Sequence, residues 1–175
     1  MSAETRTGRR GEATSFRRGL GVLAVSLAAC FAAAWFGNQF TGPAIPTWYA
    51  TLDKPSWTPP NWLFGPVWTL LYVSMAVAAW LVWRARSTGR ARLPLRLPLG
   101  LFAAQLALNA LWSYVFFGLR APGPAFAEIV LLWLAILATA LAFGRLSRAA
   151  GLLMIPYLLW VTYAAALNFQ IWRMN

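Results

Sequence analysis

Five stretches of mostly apolar residues, each near the length of a bilayer crossing, constrain this chain more than any other feature. They cover about Leu20 to Phe36, Trp62 to Trp83, Leu97 to Phe117, Ala125 to Phe143 and Gly151 to Trp172, separated by clusters of Arg, Gly and Pro. A helix needs roughly 20 such residues to cross the hydrocarbon core, because every backbone polar group must be satisfied within the segment. Hydrophobic residues make up 60% of the 175 and charged residues only 11%, more apolar surface than a soluble domain of this size can bury. The sequence therefore predicts an all-α membrane protein, a five-transmembrane-helix bundle over residues 20–175, integral and multi-pass, whose first partner is the lipid bilayer. Residues 1–19, with Arg6, Arg9, Arg10, Arg17 and Arg18 among Gly, Ser and Thr, cannot build a core and are expected to form a disordered basic cytoplasmic tail.

The net charge of +11 does not indicate nucleic-acid binding, because the basic residues punctuate the apolar runs instead of gathering on a soluble module. Five lie in the leader, five between the second and third runs and two between the fourth and fifth, against Lys54, Arg120 and Arg173 on the opposite side. Cytoplasmic connections collect Lys and Arg, so the N-terminus is expected in the cytoplasm of a bacterial cell, with the long first connection, about Gly37 to Asn61, on the far side. A connection of that length suggests a functional lid. Two readings of the first run compete: Leu27-Ala28-Ala29-Cys30 after paired arginines resembles a processing site, yet the same small residues suit helix packing. The four runs that follow favour an intact first helix.

Cys30 is the single cysteine and histidine is absent, which excludes a Ser-His-Asp triad, a Cys-His dyad, a zinc site and a histidine-ligated haem. No metal or cofactor is called for. Polar residues inside the apolar runs are then the informative ones, since an unpartnered amide in hydrocarbon costs several kcal/mol. Gln105, Asn109 and Trp112 fall at i, i+4 and i+7 on one helical face, and Gly100, Ala103, Ala107 and Ala110 on the opposite one. The polar face should look into the bundle, either joining helices or touching a ligand, and the small-residue face could seat a second copy in a homodimer. Trp68, Tyr72 and Met75 repeat the pattern in the second run, and Tyr157, Trp160, Ala164 and Asn168 in the fifth. Trp48, Trp62, Trp80, Trp83 and Trp172 sit where interfacial anchors belong, whereas Trp68, Trp112 and Trp160 fall on inward faces. Rings from three helices converging on one interior suit a planar, largely apolar guest. Glu128, one turn into the fourth run, fits a hydrated helix N-terminus and a functional role equally well, and Pro156 should bend the fifth helix or free a carbonyl.

Four segments in order, WYATLDKPSWTPP, GPVWTLLY, AAQLALNALWSYVFFG and IPYLLWVTYAAALNFQIWR, resemble the tryptophan-rich sensory protein / translocator protein family (TspO/MBR) over about Cys30 to Arg173. The resemblance implies a five-helix bundle, usually dimeric, that binds porphyrins such as protoporphyrin IX and, in some members, sterols and aromatic drugs, in a pocket under the first loop. It implies Trp57 and Pro59 in the lid, Trp68 and Tyr72 in the second-helix wall, Asn109 and Trp112 in the third, Tyr157, Trp160 and Asn168 in the fifth, and an often acidic position at Glu128. Phe169 stands where the sterol-associated pattern has tyrosine, which leaves sterol binding open. Three functions are compatible with it: a receptor or regulator binding porphyrins and haem-pathway tetrapyrroles, with Lys54 at the mouth facing a propionate; a light-dependent porphyrin-degrading enzyme using Trp68 and Trp160 as oxidisable catalytic indoles; and a tetrapyrrole or sterol transporter. The last is disfavoured by the lack of an internal repeat or an intramembrane charge relay.

Overall fold

A computed structural model describes residues 3–89 and 94–175, with side chains from Arg17 onward. It holds five helical spans long and apolar enough to cross a membrane, Arg17–Ala44, Asn61–Ser87, Arg96–Gly118, Pro122–Leu146 and Arg148–Met174, and no strand among the described residues. The protein is an integral, multi-pass membrane protein. Its elements are α1 (Ala3–Ala44), a single short turn α2 (Trp48–Thr51), α3 (Phe64–Ser87) entered through a 3-10 turn at Asn61–Leu63, α4 (Arg96–Ser113) continued by a π turn over Tyr114–Gly118, α5 (Pro122–Leu146), α6 (Arg148–Leu153) and α7 (Ile155–Met174). The bundle closes into a ring: α1 packs on α3 and α4, α4 on α5, α5 on α6 and α7, and α6 on α3. Two ends are thereby defined. The arginine end gathers Arg17, Arg18, Arg84, Arg86, Arg96, Arg145 and Arg148, all exposed, and the lid end gathers the first loop, the π turn and the finish of α7.

Two boundaries differ from the hydropathy reading. The first helix does not stop at Phe36 but runs to Ala44, and its backbone is helical from Ala3, continuous with the leader in which no core was expected. Extending a helix that already exists fixes one residue per added hydrogen bond and is cheap, whereas hydropathy registers only where apolar side chains end. Pro43 lies in the last turn, where the Thr47 hydroxyl donates to the Pro43 carbonyl at 2.7 Å and so satisfies one of the acceptors left over at the helix end. The fifth span, in turn, is broken at Met154, just before Pro156, into α6 and α7. The Leu153 carbonyl at the break accepts a hydrogen bond from Ser74 Oγ of α3 at 2.9 Å, which satisfies it without water.

The arginine-end half is closely packed. Ala76, Ala78, Ala79 and Val82 of α3, Phe102 and Leu106 of α4, Phe143 of α5 and Ala150 of α6 are buried, and the Phe102 and Phe143 rings stack 5.7 Å apart. Gly151 lies so close to α5 that a Cβ there would come within 2.8 Å of Gly144 Cα and 3.0 Å of the Ala140 carbonyl. Small residues thus let backbones touch where lipid supplies no hydrophobic drive to hold helices together. On the far side of α4, Gly100, Ala103 and Ala107 are exposed and Ala110 is half-buried, so the small-residue face points out of the bundle.

Candidate functional site

The lid-end half does not close on itself. It encloses a cavity of about 470 Å³, within the range of small-molecule sites. Its walls are Phe31, Ala34, Trp35, Asn38 and Thr41 of α1, Phe64, Trp68 and Tyr72 of α3, Asn109, Trp112 and Ser113 of α4 with Phe117 of the π turn, and Trp160 and Ala164 of α7, under Tyr49 of α2. Bulky rings keep it open, since each is propped by another. Trp68 lies 5.5 Å from Tyr72 and 6.1 Å edge-on to Tyr157, Trp160 lies 6.1 Å from Phe64, and Trp112 stacks on Phe116 at 5.1 Å. Offset and edge-on pairs of this kind are each worth about 0.5 to 1.5 kcal/mol beyond the area they bury. The π turn serves the same purpose: its wider winding, with Leu119 N–H donating to the Tyr114 carbonyl, brings Phe116 and Phe117 to Trp48 and Tyr49.

Behind the rings runs a polar spine. Tyr72 Oη donates to Asn109 Oδ1 at 2.5 Å and Asn109 Nδ2 donates to Tyr157 Oη at 3.0 Å, so one buried amide ties α3, α4 and α7. Trp112 Nε1 donates to Asn168 Oδ1 at 3.1 Å, and Asn168 Nδ2 donates to the Pro122 carbonyl at the start of α5 at 2.7 Å. Every buried group in these two relays has a partner, which is what makes such networks fix side-chain positions instead of destabilising the core.

Of the residues singled out in the sequence, Trp68, Tyr72, Asn109, Trp112 and Trp160 are brought together around the cavity. Tyr157 and Asn168 stand one layer behind it, holding Asn109 and Trp112. Gln105 is fully buried deeper in the bundle, with Nε2 3.5 Å from Met75 Sδ, and does not line the cavity. Trp57 and Pro59 are not in the wall either: Trp57 is 46% exposed in the loop, where its ring meets Tyr163 at 5.6 Å and its carbonyl accepts from Tyr163 Oη at 2.8 Å. Glu128 is buried on α5 with neither carboxylate oxygen hydrogen-bonded among the described residues, and it too lies outside the cavity. Lys54 Nζ turns back on the loop, donating to the carbonyls of Tyr49 at 2.8 Å and Leu52 at 2.7 Å beneath the face of the Tyr49 ring. Burial pushes the Tyr49 hydroxyl up to about 12, with Tyr163 adding to the shift, so that hydroxyl stays un-ionised at ordinary pH.

The α1 wall was missed in the sequence, although a signal for it exists. Phe31, Ala34, Asn38, Thr41 and Ile45 follow one another at spacings of three and four, a single helical face that becomes visible once α1 is carried past Phe36. The lid's fastenings were equally hidden. Asn175 pairs with the loop backbone in both directions, accepting from Asp53 N at 3.1 Å and donating to the Asp53 carbonyl at 3.0 Å.

The sequence profile of the TspO/MBR family matches residues 26–173. The tryptophan-rich protein TspO of Chlorobaculum tepidum is 44% identical over 153 residues, covering 87% of this chain and 95% of its own. The tryptophan-rich sensory protein of Cereibacter sphaeroides is 42% identical over 149 residues, 85% of this chain and 88% of its own. The human translocator protein is 41% identical over 139 residues, 79% of this chain and 81% of its own.

Proposed function

We propose, from the premise that this chain belongs to the TspO/MBR family, that it is a membrane receptor or regulator which binds a planar tetrapyrrole of the porphyrin class in the cavity beneath the first loop. The observation that carries this reading is the convergence of Trp68, Trp112 and Trp160, from three different helices, on one cavity of about 470 Å³ at the lid end. Flat π faces on several walls favour a flat conjugated guest, with Trp112 and Tyr72 held by the two hydrogen-bonded relays and Trp68 and Trp160 by the rings of Tyr72, Tyr157 and Phe64. No step of this binding needs a metal or a charged residue. The names of relatives, sensory in one and translocator in another, fit a protein whose output is occupancy of this site.

A second reading draws on the same geometry. Trp68 and Trp160 are oxidisable indoles in the cavity wall, in position to donate an electron to a light-excited porphyrin, which makes photochemical degradation the alternative activity. For assembly, the exposed Gly100, Ala103 and Ala107 on α4 support a homodimer through that helix, and the concentration of arginines at one end supports an N-terminus in the cytoplasm of a bacterial membrane.

The test is a titration of protoporphyrin IX into the protein in lipid nanodiscs, following tryptophan fluorescence and the Soret band. Saturable one-to-one quenching, weakened at least tenfold in the Trp68→Leu, Trp160→Leu double variant, is the expected result. Absence of quenching would remove the porphyrin readings together. Bleaching of the Soret band under illumination that proceeds equally in the double variant would remove the enzymatic one.

A further inference from the structure

The walls of the cavity carry no charge. Among the described residues its lining includes neither Arg, Lys, Asp nor Glu, and its polar groups are neutral amides, hydroxyls and indoles, among them Asn38, Thr41, Tyr49, Asn61, Tyr72 and Asn109. The nearest cation in the lid, Lys54, is already engaged by the Tyr49 and Leu52 carbonyls. A carboxylate carried into this space would lose its water and meet no counter-charge among the lining residues, which is among the most unfavourable things a buried site can be asked to hold.

The same cavity is fastened from above and open at the side. The loop that roofs it is tied to α7 at two places, Asp53 to Asn175 and Trp57 to Tyr163, and folded onto itself at Lys54. Between α1 and α3, by contrast, the lining residues are themselves exposed: Phe31 by 41% and Trp35 by 67%, with Gly65 and Thr69 opposite them also exposed. A side chain built at Gly65 would meet nothing within 4 Å. The lower edge of this gap is the Phe31–Tyr72 ring contact at 6.4 Å. Trp35 and Gly65 both lie within spans long and apolar enough to cross a membrane, which puts the gap on a side of the bundle that lipid would contact.

We infer that the cavity takes its ligand sideways out of the bilayer, through the gap between the lid-end halves of α1 and α3, and that it selects the uncharged form of that ligand. The inference rests on the reading of the cavity as a binding site and narrows it: the guest is a neutral, membrane-dissolved planar ring system, and a tetrapyrrole acid seats only with its carboxyls protonated or esterified. Asn38, Thr41 and Asn61 supply neutral hydrogen bonds to such an edge.

Two matched probe pairs test this in nanodiscs of zwitterionic lipid, with affinity expressed per mole fraction of probe in the lipid: protoporphyrin IX with its dimethyl ester, and pyrenebutanoate with its methyl ester. At pH 7.5 each ester is expected to bind at least tenfold tighter than its acid. Stopped-flow quenching with probe delivered from vesicles should show association slowed at least fivefold by Gly65→Trp, which narrows the gap, accelerated by Trp35→Ala, which widens it, and unmoved by Asn175→Ala, which cuts one of the lid's two ties to α7. An acid that binds as tightly as its ester, or an association rate that follows Asn175→Ala and ignores both gap variants, would overturn the inference, as would failure of all four probes to bind. If neither porphyrin binds while the pyrene ester still outcompetes its acid, the porphyrin reading fails and the neutral, lateral site stands.

Discussion

The two ends of the bundle use the same five spans to opposite purposes. At the arginine end Ala76, Ala78, Ala79, Gly144, Ala150 and Gly151 bring helix backbones into contact, and the remaining space is filled by Phe102, Phe143 and Met154. At the lid end indoles and phenols face one another across about 470 Å³, Tyr72 and Trp112 held by hydrogen bonds behind them and Trp68 and Trp160 by neighbouring rings. In a bilayer, where burial against a neighbour gains little over burial against lipid, small residues produce a solid because backbones can touch. Large rings leave a hole when each is braced from outside. Site and scaffold are thereby divided along the length of each helix, with α3 contributing Ala79 to one and Trp68 to the other.

That division can be broken from either side. The largest effect is expected from Gly151→Val, because the added carbon would lie 2.8 Å from Gly144 Cα and neither backbone can yield. A loss of about 3 kcal/mol in stability is expected, read as a fall in the thermal-unfolding midpoint in detergent. Binding per folded molecule should be preserved; a coincident loss of affinity would show that the two ends are not separate. Next comes Asn109→Leu, which orphans Tyr72 and Tyr157 at once and should cost about 2 kcal/mol in stability. Here stability and affinity should fall together, since the same amide braces the wall, and a normal ligand affinity would mean that the spine does not hold the cavity. The Trp68→Leu, Trp160→Leu pair should act on binding beyond any effect on folding: affinity per folded molecule lower by about 1.4 to 2 kcal/mol, roughly ten- to thirtyfold, with the unfolding midpoint falling as well because the indoles also lose their ring partners Tyr72, Tyr157 and Phe64. Smallest is Ser74→Ala, which leaves the Leu153 carbonyl without its partner and should cost about 1 kcal/mol; hydrogen exchange should then quicken around the α6–α7 break and not in the lid.

What could be read beforehand follows the same line. Hydropathy located all five spans because lipid imposes length and apolarity on them directly. Periodicity found Tyr72, Asn109, Trp112 and Trp160, since each is polar or aromatic within an apolar helix and so advertises an inward face. It could not separate Asn109, which borders the cavity, from Gln105, one turn deeper on the same face and packed on Met75, because depth along a helix is set by where neighbouring side chains stop filling space. The α1 wall was lost for a different reason. Asn38 and Thr41 are polar, and hydropathy ended the helix before reaching them, although a cavity lined with amides is where such residues can continue a span. Lys54, suggestive beside an aromatic motif, proved to be spent on carbonyls of its own loop, a local arrangement that no spacing rule encodes.

The central claim is that the ligand lies among the lid-end rings and not on the lipid-facing surface or at the packed end. It is tested most directly by a paramagnetic manganese protoporphyrin bound to the protein in nanodiscs, with the relaxation of each indole N–H proton measured by NMR. The strongest broadening is expected at Trp68, Trp112 and Trp160, with Trp80, Trp83 and Trp133 nearly unaffected. Strongest broadening at Trp62 and Trp172 on the outer surface, or at Trp80 and Trp83, would contradict it.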